Sequence, residues 1–264
     1  MNKLEELIKT FNNINTPNIQ GFDKFNQLII NYHSTKLEGL SLSEIESEIL
    51  LHHKLTPKGR DLYDLYMLTD HSNALSFVLE QANQKNNITV ELIQKINAKV
   101  LKNTGEIFTN AFGSFDMSEG VLRKWEVTNG RGHNYPNFDK VEGRIRKLVQ
   151  TVNEKMKVNL SIREITDLAF DMHYNLVALH PFGDGNGRTS RLLMNYILAY
   201  YNLPLTIVNI QDKKEYIDAL QKTDKIGEKK FFIHFMYNQY EKYLFQIIDK
   251  HITNTKVERT EFLF

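Results

Sequence analysis

Apolar side chains return at mixed steps of three and four residues in ELIQKINAKVL (residues 91–101) and SIREITDLAFDMHYNLVAL (161–179). That period belongs to a helix with one buried face; a strand, whose side chains alternate every second residue, does not produce it. Helix-start signals recur along the chain. Ser41 with Glu44 and Ser161 with Glu164 have capping-box spacing, and Thr56 before Pro57 offers an N-cap followed by proline at the first helical position. Thr89 suits the N-cap of a further helix, with Ile88 and Ile93 placed as a hydrophobic staple. The expected fold class is therefore mainly α. One stretch breaks the pattern: residues 104–137 mix glycines with aromatic and β-branched residues and contain Asn129-Gly130, a dipeptide suited to a tight hairpin turn. A small β-hairpin set into the helical body is expected there. No repeat or Pro/Ser-rich linker divides the 264 residues, 41% of them hydrophobic, and one domain is the simplest reading.

Charge and cysteine content narrow the function classes. With 33 Lys+Arg against 32 Asp+Glu the formal net charge is +1, so the basic excess of a nucleic-acid binder is missing. The count of 0 cysteines excludes disulfides, thiolate zinc sites and cysteine nucleophiles, and fits a reducing compartment. The start, MNKLEELIKTFNN, lacks an apolar signal core, and no run approaches the roughly 18 uninterrupted apolar residues of a membrane span. A cytoplasmic protein with neither nucleic acid nor membrane as partner is expected. His52-His53 and His173 show no metal-ligand spacing and read as packing or surface residues.

The chemistry concentrates in HPFGDGNGRTSR, residues 180–191, between the helix that closes at Leu179 and the apolar run RLLMNYILAYY that begins at Arg191. Gly185 and Gly187 permit backbone conformations and close approaches that a Cβ forbids. The helix N-terminus that follows presents unpaired N–H groups and the positive end of its dipole to an anion. Arg188 and Arg191, three apart, share a face and can grip an oxyanion. Asp184 suits Mg²⁺, which takes one or two carboxylates together with phosphate oxygens and water. His180 just before the loop suits a general base. A tight turn, a solvated basic face or a structural histidine would each explain one of these residues, but none calls for all of them together. The Gly-Lys-Ser/Thr ending of a Walker A loop is missing and no strand signal precedes the loop, which disfavours a P-loop NTPase.

Residues 180–191 match H-x-F-x-D/E-G-N-G-R-x-x-R without a departure, and the chain thereby resembles the Fic family. The resemblance implies a Fic-type helical bundle with a β-hairpin flap, and transfer of AMP from ATP to a hydroxyl side chain of a target protein or of the chain itself. It implies that His180 deprotonates the target hydroxyl and that Phe182 anchors the loop in the core. Asp184 would hold Mg²⁺ on the α- and β-phosphates. The nucleotide-binding set would be Phe182, Gly183, Gly185, Asn186, Gly187, Arg188 and Arg191, with Gly185, Asn186 and Gly187 around the α/β-phosphates and both arginines on the outer ones. The related Doc kinases carry lysine at the position of Gly187, so this chain resembles an adenylyltransferase and not a Doc-type kinase.

A second match lies upstream. HSTKLEGL contains Ser34-x-x-x-Glu38-Gly39, similar to the family's inhibitory motif S/T-x-x-x-E-G/N. It implies that a helix at about 25–38 places Glu38 against Arg191, where a γ-phosphate would otherwise sit, and so holds the enzyme off. Gly120, Arg123 and Tyr135-Pro136 resemble the setting of the family's flap, expected at about 121–136, whose edge would pair with an extended target segment. The resemblance covers about residues 30–240, which divides the chain into an N-terminal helical extension (1–30), a Fic domain (31–245) and a C-terminal tail (246–264) without assignable chemistry. Other readings stay open: removal of AMP from a modified target at the same site, a nucleotide-sensing module with little catalysis, and a donor such as UTP or CDP-choline. The identity of the target and the oligomeric state, a homo-oligomer included, stay open too.

Overall fold

The computed structural model describes residues 3–14, 22–111, 113–128 and 135–261. Among them run ten α-helices and one two-stranded sheet. The helices are α1 (Lys3–Ile14), α2 (Phe22–Leu37), α3 (Glu44–Leu51), α4 (Leu62–Asn83), α5 (Val90–Val100), α6 (Val141–Met156), α7 (Ile162–Leu179), α8 (Asn186–Tyr200), α9 (Lys213–Ile226) and α10 (Lys230–Glu261). Strands β1 (Ile107–Asn110) and β2 (Gly113–Asp116) pair antiparallel, with Phe108 opposite Phe115 and Thr109 opposite Ser114. The mainly helical class expected from the periodicity is the class observed.

Helix α8 is the axis of the core. Every residue from Arg188 to Ala199 is buried, which a helix tolerates only when other helices enclose it. Here α7, α4, α5 and α2 do so. Burying each large aliphatic or aromatic side chain contributes roughly 1.5–3 kcal/mol, so this axis is the most firmly held part of the chain. Polar residues on it are satisfied reciprocally: Asn195 donates to the Thr206 carbonyl (3.0 Å) and accepts from the Thr206 N–H (2.9 Å), tying the segment after α8 back to the helix. Helix α1 closes the bundle by burying Leu4, Ile8 and Phe11, one face of a helix, against α10.

The start signals fare unevenly. Ser161 and Glu164 form the expected capping box, Thr89 caps α5 by accepting from the Leu92 N–H, and Ile88 and Ile93 share one core cluster. The box expected on Ser41 and Glu44 is displaced by two residues: Ser43 caps α3 with Glu46, and Ser41 instead bonds the Asp64 carboxylate. The two frames overlap in sequence, and the fully buried Leu42 fixes which of them the packing allows. No helix starts at Thr56-Pro57. Gly59 at φ +73° turns the chain away, and α4 begins only after Asp61. The helix expected from Arg191 begins five residues earlier, at Asn186, because Gly185 at φ +75° sets its N-cap.

The described hairpin, β1–β2, lies upstream of residues 121–136. Asn129-Gly130 falls outside the described residues, while the base of that segment is closed by the Tyr135 N–H donating to the Val127 carbonyl (3.4 Å). The boundaries expected at 30/31 and 245/246 fall inside α2 and α10. No helix among the described residues is long and apolar enough to cross a membrane.

Candidate active site

Helix α7 ends at a residue that sequence periodicity cannot single out. His180 is its C-cap and adopts φ +49°, ψ +60°, left-handed backbone that costs a non-glycine residue energy and persists only where the surroundings hold it. Three contacts do so. The His180 N–H donates to the Leu176 carbonyl (2.9 Å), Arg123 Nε donates to the His180 carbonyl (2.7 Å), and the Tyr135 ring stacks on the imidazole with centroids 4.0 Å apart. Burial, and then the nearby Arg123 charge, push the His180 pKa down to about 4. Asp184, the Val177 carbonyl and Glu38 pull the other way but do not prevail. The ring is therefore neutral at physiological pH, the form a base requires.

The loop between α7 and α8 is built from both sides. Phe182 is buried in the core, and Asn186 locks the turn by accepting from the Phe182 N–H (3.0 Å) and donating to its carbonyl (2.9 Å). From α5, Asn97 Nδ2 donates to the Asp184 carbonyl (3.0 Å) and the Thr189 hydroxyl (3.1 Å). A Cβ at Gly185 would lie 2.7 Å from that same Nδ2, so glycine is required there by space as well as by φ. At Gly183 the constraint comes from the hairpin side. Trp125, which carries Phe108 and Phe115 against its ring at 4.5 and 5.3 Å, would meet a Gly183 Cβ at 2.8 Å.

The N-terminal turns of α8 then place the cations. Arg188 is 2% exposed; its Nη2 donates to Asp184 (3.1 Å), while its buried Nε and Nη1 have no hydrogen-bond partner among the described residues. Buried guanidinium donors left unpaired beside a helix N-terminus are suited to an anion with several acceptor oxygens. Asp184 itself is half exposed, with its side chain at 52%. No group of three or more His, Asp or Glu residues among the described ones is placed to hold a metal, so a cation at Asp184 would need ligands from a bound phosphate and water.

Arg191 is engaged by Ser34 and Glu38 from the other end of the chain and by the Tyr216 hydroxyl of α9. Its Nε donates to the Ser34 hydroxyl (2.9 Å), and Nη2 donates to the Ser34 carbonyl (2.9 Å) and to Glu38 Oε1 (2.5 Å). Burial disfavours the Glu38 carboxylate, but the charge and hydrogen bond of Arg191, with Arg188 and Lys213 behind, hold its pKa below the ordinary value. Burial also opposes the charge on Arg191, and Glu38 more than restores it. A Cβ on Gly187 would lie 2.6 Å from Glu38 Oε1, so the carboxylate rests directly on the glycine turn of the cradle.

Helix α2 delivers Glu38 by stopping in the right place. The Leu40 N–H bonds the Thr35 carbonyl and the Gly39 N–H the Lys36 carbonyl, a Schellman cap with Gly39 at φ +107° in the left-handed position. Glu38 is thus the last residue before the turn, at the negative end of the helix dipole, an unfavourable place for a carboxylate that Arg191 offsets. Lys213 Nζ donates to the Leu37 carbonyl (2.6 Å), and His33 Nδ1 accepts from the Ile210 N–H (3.2 Å), fastening the helix end to the segment before α9.

All the residues singled out from the sequence, His180 to Arg191 together with Ser34, Glu38 and Gly39, converge on this one place. Asn97, Lys213 and Tyr216 were not anticipated. Asn97 alone left a trace, as an asparagine on the apolar face of α5 between Ile93, Ile96 and Val100. His173, read as a packing residue, is fully buried and bonds the Tyr216 hydroxyl (3.0 Å). A cleft of about 730 Å³ lies elsewhere, among α1, α2, α4 and residues 202–205, and is lined by none of these groups.

The fold and the site have known counterparts. The Fic/DOC family model matches residues 87–198. Protein adenylyltransferase Fic of Culex quinquefasciatus is 31% identical over 206 residues, 78% of this chain and 38% of that protein. The chain thus spans about two fifths of the length of the curated relative it matches. Among solved structures, a Fic domain containing signaling protein from Bacteroides thetaiotaomicron VPI-5482 superposes with a TM-score of 0.82 at 22% identity, covering 96% of this chain and 98% of that one. Fic-1 (aa134–508) from C. elegans does so with a TM-score of 0.74 at 21% identity, covering 97% and 72%. The matched segment contains α5, the hairpin, α6, α7, the His180–Arg191 loop and nearly all of α8, and residues 87–198 of this chain are thereby a domain of the Fic/DOC family.

Proposed function

We propose that the chain is a protein adenylyltransferase that moves AMP from ATP to a hydroxyl side chain of a target protein, and that Glu38 holds it off. The curated relative's name assigns that protein the same transfer. The observation that carries the proposal is the position of the Glu38 carboxylate, on Arg191 at 2.5 Å and over Gly187, inside the cradle whose Arg188 donors are unpaired. An anion already occupies the outer cationic position, so a triphosphate meets a competitor at the very group that would orient it.

In the transfer, neutral His180 accepts the proton of the target hydroxyl as its oxygen bonds to the α-phosphorus. The bond from that phosphorus to the pyrophosphate oxygen breaks, and the charge leaves with pyrophosphate. Arg188 and Arg191 hold the phosphate oxygens, and the N–H groups at the start of α8 face the developing charge. Asp184 would hold Mg²⁺, which when bound would supply neutralisation of the phosphate charge. ATP and Mg²⁺ thus suit the donor groups present, and the acceptor approaches on the side of Tyr135 and the hairpin.

Glu38→Gly should raise incorporation of label from α-labelled ATP, into the chain itself and into lysate proteins, by at least about tenfold, the effect of about 1.4 kcal/mol of relieved competition. His180→Ala in that background should abolish it. Equal labelling by wild type and Glu38→Gly would remove the inhibitory role. Because Glu38 sits in the cradle and is about a third exposed (35%), it is also placed to orient water. Glu38-dependent release of AMP from a pre-modified protein would make removal the main activity.

A further inference from the structure

Helices α6 and α7 enclose a cleft of about 370 Å³ next to the candidate active site. Arg144, Lys147, Leu148 and Thr151 line it from α6, at the steps of three and four that place them on one face. Asn175, Ala178 and Leu179 line it from the last turn of α7, and Pro136 closes one end. Among the described residues no carboxylate lines it. Arg144 and Lys147 are exposed and form no ion pair or hydrogen bond among the described residues, whereas their neighbour Arg146 is paired with Glu142 at 2.7 Å. On a chain of net charge +1, two unpaired cations facing one concave wall form a local feature and not part of a general basic surface.

The position of the cleft gives it a direction. Leu179 precedes His180, and Pro136 follows the Tyr135 that stacks on it. Arg123, 1% exposed, donates to the carbonyls of His180, Trp125 and Pro136 and so fixes the floor of the cleft to the backbone of the histidine. A chain segment seated beside Pro136 is therefore at a set distance from the His180 ring.

We propose that this cleft docks an acidic segment of the acceptor protein, with Arg144 and Lys147 pairing with its carboxylates while the hydroxyl to be modified reaches His180. The inference rests on the adenylyltransferase reading for the word acceptor, but the binding it asserts is measurable alone. Apolar walls from Leu148, Ala178 and Leu179 suit an extended peptide backbone with short side chains, and the absence of any aromatic stacking platform in the lining disfavours single-stranded nucleic acid.

The test uses the full chain and fluorescent peptides with a central serine flanked by glutamates, by lysines or by neutral residues. Anisotropy titrations without nucleotide should show the acidic peptide bound about tenfold more tightly than the neutral one, with affinity falling as salt is raised. Arg144→Glu with Lys147→Glu, both on exposed positions, should erase that preference and transfer it to the basic peptide. Equal affinities for acidic and neutral peptides, a preference unchanged in the double variant, or an oligonucleotide of equal charge bound more tightly at the same two residues would each overturn the proposal. Labelling of the same peptides by the Glu38→Gly protein is read separately. If neither the peptides, nor lysate proteins, nor the Glu38→Gly chain itself is labelled while the charge swap in binding holds, the adenylyltransferase reading fails and the acidic-segment cleft stands.

Discussion

In the proposed transfer, the Glu38 carboxylate and an outer phosphate would compete for one guanidinium, that of Arg191. Its Nε and Nη2 are committed to Ser34 and Glu38, so an outer phosphate reaches them only when Glu38 leaves. His180 is tuned by the same surroundings. With its pKa near 4 in the free protein, the acidic limb of kcat/KM for the Glu38→Gly enzyme should fall near pH 4, far below the ordinary imidazole value. The limb of kcat should lie higher, because bound phosphates favour the imidazolium. A kcat/KM limb at about 6.5 would show that burial does not control the base. Asn97 is the other decisive single residue. Asn97→Leu removes the donor to the Asp184 carbonyl and the Thr189 hydroxyl, leaving buried acceptors unpaired at a cost of about 1–3 kcal/mol. Thermal unfolding should register that loss, and the transfer rate should fall further than stability alone explains, since the loop carrying Asp184 is no longer fixed.

At the scale of elements, the position of Glu38, and with it the proposed off state, depends on where α2 ends. Gly39 at φ +107° lets the chain turn and leaves Glu38 at the cap, and nothing lies within 4 Å of the place where a Cβ would go. Gly39→Ala therefore acts through backbone strain alone, costing roughly 1–2 kcal/mol. Relaxation of that strain unwinds the cap and shifts Glu38, so basal labelling should rise above wild type while remaining below Glu38→Gly. Basal labelling unchanged in a measurably destabilised Gly39→Ala protein would show that the cap does not position the carboxylate. Elements also explain where sequence signals misled. A capping box is a four-residue pattern, and where Ser41 and Ser43 both satisfy it the burial of Leu42 decides between them. The hairpin expected within residues 104–137 is found there as β1–β2, where Phe108 and Phe115 can cover Trp125, and Asn129-Gly130 lies outside the described residues.

Across the molecule, among the described residues, burial complete or partial holds four histidines in the neutral form. Burial, with opposing help from Asp212, holds His33 at about 4, and His180 is also near 4. His71 and His173 are pushed well below the ordinary imidazole value by burial and by the charge of Arg191. Each binds a proton in the unfolded chain below about pH 6.5 that the folded chain refuses. Stability should therefore rise with pH from 4 to 6.5 and flatten above, by up to about 1.4 kcal/mol per pH unit for each histidine. Chemical denaturation at a series of pH values measures the slope. A midpoint independent of pH across that window would mean these histidines are not buried neutral. On this same scale the division between sequence and structure becomes clear. The helical class, the caps at Thr89 and Ser161, and the chemistry of residues 180–191 were legible because each is written within one or two helical turns, where spacing alone dictates geometry. The pairing of Glu38 with a guanidinium 153 residues away was legible only through its resemblance to a family motif, while the hold of Ser34 on the same guanidinium, the unpaired donors of Arg188, the hold of Asn97 on the loop and the Arg144–Lys147 cleft were decided only in three dimensions. Such contacts join segments whose separation in the chain carries no period, and only the close packing of α2, α5, α6 and α7 around α8 determines which side chains meet.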